Sequence, residues 1–452
     1  MNQDCDVIVV GSGVAGLCAA IEAAQQGLSV IILDRFGGGG ASALSGGVVY
    51  AGGGTAIQQK ANESDTVDNM FNYLKQEVND AVSDENLRNF CQQSSNNLDW
   101  LIEQGVPFDA TTYDEKTSYP PDGYFLYYSG NEICSPYIES ATPARRGHRT
   151  KGASFTGTVL YHQLRKRAAS IDGIKQINFA NVTALTQNKN GRITGVSYQQ
   201  LGTGNGNLFS RLAVKLANKM TILKPTIGTK LRDKISTKIN EQPVRNIAAK
   251  QGIILASGGF VFNREMVKQH APLYSHCQPL GENCDGTGIN LGVTAGGTTQ
   301  FMDRFSAWRF ISPPTAMCKG VLVDNNGQRI INEDLYGAKT AEYMVNQNQG
   351  NGLLIIDSKL LKEIKQQARP MNIAWHQWLP NRILLATSTK KSETIEGLAK
   401  VCNLPFDTLT QTLETYNSNA KTKNDAFSKA DKYVQPLLHP PYFAIDISIN
   451  NR

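Results

Sequence analysis

Glycines near the start of the chain have the types and spacing of a dinucleotide-binding turn. Residues 11–16 (GSGVAG) follow the pattern G-x-G-x-x-G. Gly11 permits a tight turn, Gly13 lets the backbone approach a pyrophosphate, and Gly16 allows a helix to pack closely on a strand. Asp34, the carboxylate that follows the next apolar run, is predicted to accept hydrogen bonds from a ribose.

The segments around these glycines have the patterns of the elements that must position them. Residues 6–10 (DVIVV) and 28–33 (LSVIIL) are apolar runs typical of buried strands. The alanine-rich stretch 17–26 between them has helical character and ends before Gly27. Strand, glycine turn, helix and strand therefore follow in the order of a Rossmann-type βαβ unit, which predicts an α/β fold with a dinucleotide on it.

A second glycine-rich stretch, residues 37–55, indicates which dinucleotide is bound. Main chain without side chains over this length is expected beside a large flat ring system, whereas a nicotinamide-binding domain would continue directly to its next βαβ unit. A flexible linker would rarely contain Val48, Val49 and Tyr50. We therefore predict FAD, with its isoalloxazine near residues 45–47. The predicted contacts in this half of the chain are Gly11, Gly13, Val14, Ala15, Gly16, Asp34, Arg35, Ala41, Ser42, Ser45, Gly46 and Gly47.

Later segments are predicted to complete the same sheet. Residues 252–260 (GIILASGGF) form an apolar run that ends in glycines, which brings Ser257 and Gly258 to the cofactor. Residues 177–185 and 192–199 have the pattern of a strand hairpin. Asp285 lies in an Asp-Gly turn before a helix and is predicted to accept from a ribityl hydroxyl.

Aromatic and basic residues are concentrated between positions 111 and 150. The tyrosine-rich segment 111–137 has neither helical nor strand periodicity, so it is predicted to be an irregular loop that lines a site. Aromatic packing at a domain edge is the alternative. The run 145–150 (RRGHRT) is either a solvated basic turn or a cluster that contacts an anion or lowers the pKa of a neighbouring phenol through its positive charge.

Positive charge is also concentrated between residues 208 and 250. Apolar residues recur there at intervals of three and four, which predicts an amphipathic helix over 208–224 within an insertion of about 208–246. Such a basic helix either lies in a membrane interface or packs on the body of the protein. Nucleic acid is not predicted, because aromatic residues for base stacking are missing. The predicted apolar face consists of Phe209, Leu212, Leu216, Met220 and Leu223, beside a basic line of Arg211, Lys215 and Lys219, and Lys224 adds to the positive charge of the segment.

Composition limits the class of protein. At 452 residues the chain can hold two or three domains, and its net charge of +6 is modest. The eight cysteines form no C-x-x-C pair and no metal-ligand spacing with the six histidines. These features predict reduced cysteines, no metal site and a cytoplasmic protein that, through the basic helix, is peripheral to the inner face of the membrane.

Six motifs resemble one known family. VVGSGVAGLCAAIEAA, SALSGGVVYAGGGT, ILASGGFVFNREM, CDGTGINLG, SAWRF and RIINEDLYGA resemble the flavoproteins that include fumarate reductases and 3-ketosteroid delta-1-dehydrogenases. The resemblance implies an FAD-binding domain at 1–299, an inserted α+β catalytic cap at 300–438, and a return to the first domain at 439–452. It places Val182 at the adenine. The family continues past Ser448 with a glycine-rich segment, so the C-terminal part of the FAD domain is expected to be missing.

The resemblance also separates two branches of the family. Fumarate reductases hold two substrate carboxylates with arginines, and the matching positions around 334–338 and 358–362 contain no arginine. Ketosteroid dehydrogenases use tyrosines, and the implied catalytic residues are Tyr127 or Tyr128 and Tyr336. A phenol has a pKa of about 10, so a nearby cation, of which Arg309, Arg304 and Arg146 are candidates, is expected to lower it.

The expected function is therefore an FAD-dependent oxidoreductase acting on CH–CH groups, similar to a 3-ketosteroid delta-1-dehydrogenase. In such an enzyme a tyrosine takes a proton and flavin N5 takes a hydride. An ene-reductase similar to fumarate reductase and a shortened, non-catalytic remnant are the alternatives. The expected substrate is a small apolar, steroid-like ketone, and the electron acceptor is unknown.

Overall fold

A computed structural model describes residues 4–202, 205–223, 225–370, 373 and 375–449. The chain forms two compact units, each built from separate segments. The first consists of Met1–Gly47, Leu101–Pro107 and Phe155–Asp303. The second consists of Val48–Trp100, Phe108–Ser154 and Arg304–Arg452. The predicted domain bounds, 1–299 and 300–438, stay a prediction beside these units.

The strands, in chain order, are β1 Cys5–Val10, β2 Val30–Asp34, β3 Val48–Tyr50, β4 Thr112–Tyr113, β5 Leu126–Tyr127, β6 Gly147–Arg149, β7 Ile174–Asn178, β8 Ala180–Gln187, β9 Ile193–Gln200, β10 Val244–Leu255, β11 Val321–Val323, β12 Leu353–Asp357, β13 Thr389–Ser392 and β14 Tyr442–Asp446. The helices are α1 Val14–Gln25, α2 Gly40–Leu44, α3 Ala56–Lys60, α4 Val67–Val78, α5 Asp84–Glu103, α6 Gly157–Ala169, α7 Asn205–Leu223, α8 Pro225–Asn240, α9 Arg264–His270, α10 Thr287–Thr294, α11 Gly337–Asn348, α12 Ser358–Gln367, α13 Trp375–Thr387, α14 Ile395–Cys402 and α15 Phe406–Thr422.

The first unit contains a sheet with the strand order β7-β2-β1-β10-β9-β8. Strand β1 pairs in parallel with both β2 and β10, so the predicted βαβ unit and the returning strand are confirmed. The predicted hairpin is also confirmed, because β8 and β9 pair antiparallel. The β-branched residues of β1 and β2 are buried on both faces, as parallel strands require.

The second unit contains two smaller sheets, β11-β12-β14-β13 and β3-β6-β5-β4. The apolar core beside the first of these includes Leu322, Ile355, Leu413 and Ile445. Strand β14 pairs with β12 and β13, and the predicted return of residues 439–452 to the first domain stays a prediction. The tyrosine-rich segment 111–137 is not wholly irregular, because β4 and β5 lie within it.

The predicted basic helix is a pair of helices in the first unit, α7 and α8. Small residues of α7, among them Ala213 and Ala217, form its buried face. The predicted apolar face is therefore on the outside, with Phe209, Leu212 and Leu216 each more than half exposed. Lys224 lies outside the described residues, and so does the side chain of Leu223.

Candidate functional site

A cavity of about 340 Å³ lies in the first unit where β1, β2 and β10 end. The crevice at the carboxyl ends of parallel strands is where open α/β sheets bind ligands. Most of the predicted cofactor residues line it: Gly11, Gly13, Val14, Ala15, Asp34, Arg35, Ala41, Ser42, Val182, Ser257, Gly258 and Asp285. Gly16, Ser45, Gly46 and Gly47 are not part of its lining.

Two glycines fix the turn between β1 and α1 at this cavity. Gly11 has φ +103°, and a Cβ atom there would lie 2.5 Å from the carbonyl oxygen of Ala256. A Cβ atom on Gly16 would lie 1.9 Å from the carbonyl oxygen of Gly11. Because neither backbone can yield, both positions require glycine. The start of α1 is thus held directly at the turn, which fits the binding of a pyrophosphate to its N-terminal N–H groups.

The carboxylate of Asp34 already accepts hydrogen bonds from neighbouring residues of the chain. Its Oδ2 accepts hydrogen bonds from the backbone N–H and the hydroxyl of Ser12, at 2.9 and 3.0 Å. Its Oδ1 accepts from the backbone N–H groups of Phe36 and Gly38, at 2.8 and 3.0 Å. The predicted ribose contact would therefore have to replace one of these four bonds.

Charged side chains surround the same end of the cavity. Arg35 forms an ion pair with Asp285, and its Nη2 donates to the carbonyl oxygen of Asn283 at 2.5 Å. The other carboxylate oxygen of Asp285 accepts from the N–H and hydroxyl of Thr287. Burial, and then the negative charge of Asp34, raise the pKa of Glu282 to about 7. Sequence reasoning missed Glu282, since nothing in its spacing marks it.

The segment predicted to hold the isoalloxazine packs against residues 156 and 157. The hydroxyl of Thr156 donates to the carbonyl oxygen of Gly46 at 2.9 Å, and the N–H of Gly157 donates to that of Ser45 at 3.2 Å. A Cβ atom on Gly47 would lie 2.3 Å from the backbone of Thr156. The requirement for glycine at position 47 therefore comes from chain packing, and its contact with a flavin stays a prediction.

A tyrosine cluster lies in the second unit and contains two of the predicted catalytic residues. Tyr336 precedes α11, and its N–H donates to the side-chain oxygen of Asn131 at 2.6 Å. Tyr127 is 1% exposed. Burial and then the nearby Tyr336 raise the pKa of Tyr127 well above its ordinary value. Tyr336 and Asn131, which are 205 residues apart in sequence, thus contact each other.

The environment does not lower the pKa of these phenols as predicted. Burial, and then the charges of Glu132 and Glu77, raise the pKa of Tyr336 to about 12. The candidate cations are engaged elsewhere, because Arg146 pairs with Asp65 and Arg304 pairs with Asp80. Desolvation and nearby carboxylates therefore prevail over the expected effect of arginine.

The other two predicted catalytic residues make different contacts. The guanidinium of Arg145 lies over the ring of Tyr128, 4.7 Å from its centroid. Burial nevertheless raises the pKa of Tyr128. The backbone N–H of Arg309 donates to the carbonyl oxygen of Gly337, beside Tyr336. Of the three tyrosines, Tyr127 and Tyr336 are close enough for Tyr336 to raise the pKa of Tyr127, and the guanidinium of Arg145 lies over the ring of Tyr128.

The basic run 145–150 is not a solvated turn. Arg146, His148 and Arg149 are fully buried. Arg146 forms a buried ion pair with Asp65, and Arg149 pairs with Asp122. Burial lowers the pKa of His148 to about 4, so this histidine is neutral. A buried guanidinium must be paired with a carboxylate, and the spacing of residues in the sequence does not show which carboxylate that is.

Glu132 is a second carboxyl group that sequence reasoning missed. It is 1% exposed, and burial raises its pKa to about 7. Its Oε2 accepts from the N–H of Gly130 at 2.8 Å, while Oε1 accepts no hydrogen bond from the residues that the structure describes. A carboxylate inside the tyrosine-rich segment was the signal that could have marked it.

Comparison with known proteins shows the family of this chain. Residues 6–452 match the family described as FAD binding domain. A 3-oxo-5-alpha-steroid 4-dehydrogenase of Comamonas testosteroni is 33% identical over 99% of this chain and 85% of its own length. A 3-oxosteroid 1-dehydrogenase of Mycolicibacterium smegmatis is 24% identical over 94% of this chain and 79% of its own.

A solved structure is also similar. The 3-ketosteroid-delta4-(5alpha)-dehydrogenase from Rhodococcus jostii RHA1, in complex with 4-androstene-3,17-dione, has a TM-score of 0.81 and 27% identity to this chain. The match covers 99% of this chain and 83% of that one.

Proposed function

We propose a specific reaction for this chain, which belongs to the FAD binding domain family and is an FAD-dependent oxidoreductase acting on CH–CH groups. The proposed reaction is the dehydrogenation of a 3-oxo-5α-steroid across C4 and C5. The observation that carries it is the 33% identity to a 3-oxo-5-alpha-steroid 4-dehydrogenase over 99% of this chain.

Two alternatives are less well supported. The delta-1 reaction implied by the resemblance has relatives at 24% identity, below the 33% of the 4-dehydrogenase. Reduction of a dicarboxylate needs cations for both carboxylates. The corresponding segments instead place Asp334 in a buried position and Ser358 at the start of α12. We therefore assign the enzyme to ketone substrates.

The tyrosine cluster supplies the proton chemistry of the proposed reaction. The hydrogen on C4 is acidic because C4 is next to the 3-ketone, and we assign its removal to Tyr336, with Tyr127 beside it. FAD, held by the residues that line the cavity, would supply the acceptor for the hydrogen of C5, which leaves as a hydride. Because the pKa of Tyr336 is raised to about 12 by burial, the phenol is protonated at neutral pH. The rate of dehydrogenation should therefore rise with pH.

The experiment is anaerobic reduction of the FAD-loaded protein by substrate. A 5α-3-ketosteroid should bleach the flavin absorbance and yield the conjugated enone, whereas fumarate should have no effect on the reduced enzyme. Tyr336→Phe should lower the bleaching rate by about a hundredfold or more. Tyr128→Phe is the matched control and should remain near wild type.

Different results would contradict the proposal. Bleaching by a steroid saturated only across C1 and C2 would favour the delta-1 reaction. A wild-type bleaching rate in Tyr336→Phe would contradict the assignment of Tyr336 as the base. The absence of bleaching by every ketosteroid would contradict the proposed substrate class.

We also propose that α7 contacts an anionic membrane surface. Leu208, Phe209, Leu212 and Leu216 form an exposed apolar face, with Arg211 exposed beside them. An apolar face bordered by cations is the arrangement that binds lipid interfaces. Among the described residues, no helix is long and apolar enough to cross a membrane. The proposed contact is therefore peripheral.

A further inference from the structure

The two inserted helices, α7 and α8, pack directly on a residue of the cofactor cavity. Phe36 lines the cavity and is 3% exposed. It shares an apolar cluster with Ala213 and Val214 of α7 and with Ile235 and Ile239 of α8. The insertion is thus not a separate appendage, because its buried face supports the segment that follows β2.

A chain of polar contacts joins α8 to the same cavity. Asp233, on α8, accepts a hydrogen bond from the side-chain amide of Asn283 at 2.9 Å. The carbonyl oxygen of Asn283 accepts from Arg35, and Arg35 forms an ion pair with Asp285. Arg35 and Asp285 both line the cavity. Asp233 is therefore connected to the cavity lining through a single residue, Asn283.

The backbone of Asn283 needs such support. It has φ +49°, in the left-handed region that few residues other than glycine adopt. Asparagine tolerates this region better than most residues, and a side-chain hydrogen bond helps to hold it there. Because Asn283 is also 7% exposed, its amide depends on protein partners. Asp233 is the partner that the structure gives to its N–H group.

We propose that the α7–α8 pair is a structural part of the FAD site and that Asp233 is a positioning residue for the cofactor. Asp233 holds Asn283, Asn283 and Asp285 orient Arg35, and Arg35 and Phe36 form the wall of the cavity at the end of β2. That end is where Rossmann-type folds hold the ribose. A sequence insertion that looks peripheral would then set the affinity for FAD.

The test titrates the apoprotein with FAD, without any steroid, and measures the Kd for FAD by fluorescence. Asp233→Ala should raise the Kd about tenfold, the effect expected for one hydrogen bond to a charged group. Asp233→Asn keeps a side-chain oxygen and should restore most of the affinity. Glu241→Ala removes the exposed acidic residue that directly follows α8 and is the matched control, with an unchanged Kd.

A second variant distinguishes positioning from a general loss of stability. Asn283→Gly keeps the left-handed backbone and removes the amide, so it should weaken binding as Asp233→Ala does. The double variant should bind FAD no more weakly than either single variant, because both substitutions remove the same contact between Asp233 and Asn283. By reciprocity, FAD should slow hydrogen exchange in α8 of the wild type and not of Asp233→Ala.

The proposal would be overturned by a wild-type Kd in Asp233→Ala, or by equal weakening in Glu241→Ala. Additive losses in the double variant would also overturn it. If Asp233→Ala does not fold, Asn283→Gly and Asp233→Asn carry the test. Since the measurement needs only FAD, its outcome is independent of which ketone the enzyme oxidises.

Discussion

Glu132 shows how one buried residue can make stability depend on pH. Its carboxyl group lies in the second unit beside Tyr336, and its own pKa is raised to about 7 by burial. The positive charge of Arg146 opposes this effect, and the negative charge of Glu77 adds to it. The folded protein therefore binds a proton on Glu132 at pH values where the unfolded chain has released it.

The prediction at this scale is a stabilising substitution. The free energy of unfolding should fall as pH rises from about 4.5 to about 7, because the folded state holds the extra proton only below its raised pKa. Glu132→Gln removes this loss. At about pH 8 the variant should be more stable than wild type by up to about 3 kcal/mol, and at about pH 4 nearly equal.

Urea denaturation at the two pH values measures this difference. Glu139→Gln is the control, since it changes an exposed carboxylate of the same segment and should have little effect. Lower stability of Glu132→Gln at both pH values would show that the carboxylate is needed in its charged form.

At the scale of elements, α7 shows that an amphipathic pattern does not say which face is buried. The larger apolar residues predict a face that either packs on the body of the protein or lies in a membrane interface, and the structure buries Ala213, Val214 and Ala217 instead. Small residues let α7 approach α8 closely. The large residues that remain outside, among them Leu212 and Leu216, form the surface proposed to contact lipid.

The prediction for this element concerns vesicle binding. Replacing Arg211, Lys215 and Lys219 by Gln should weaken binding to phosphatidylserine vesicles about a hundredfold, because each cation near the surface contributes about 1 kcal/mol. Flotation with anionic and neutral vesicles measures it. The control replaces Lys359, Lys362 and Lys365, exposed cations of α12, by Gln. Equal loss in both variants, or no binding of the wild type, would contradict the proposal.

At the scale of the whole molecule, the cavity and the tyrosine cluster belong to different compact units. The residues that line the cavity all lie in the first unit. Tyr127, Tyr336 and Glu132 all lie in the second. Binding of a cofactor should therefore stabilise the two units unequally.

The corresponding prediction compares the protein before and after removal of FAD. At FAD concentrations a hundredfold above Kd, the stabilisation should be about 2.7 kcal/mol. Hydrogen exchange should show the protection mainly in β1 and β10 and less in β12. Gly11→Ala is the control, because a Cβ atom 2.5 Å from Ala256 should remove the protection. Equal protection of β12 would contradict the prediction.

Local chemistry was enough to identify the nucleotide unit from sequence. The periodicity of β1, α1 and β2 and the glycines between them are properties of neighbouring residues, and the structure adds that Gly11 and Gly16 have no room for a side chain. The resemblance carried the prediction further, to FAD and to oxidation of CH–CH groups. The predicted absence of the C-terminal part of the FAD domain stays a prediction.

Contacts between distant segments were decided only by the tertiary structure. Arg146 pairs with Asp65, the N–H of Tyr336 donates to Asn131, and β14 pairs with β12, yet no spacing in the sequence indicates these partners. The physical reason is that burial and pairing depend on what the rest of the fold places nearby. For the same reason, the sequence could name the candidate tyrosines, and the carboxylates that raise the pKa of Tyr336 became visible only in three dimensions.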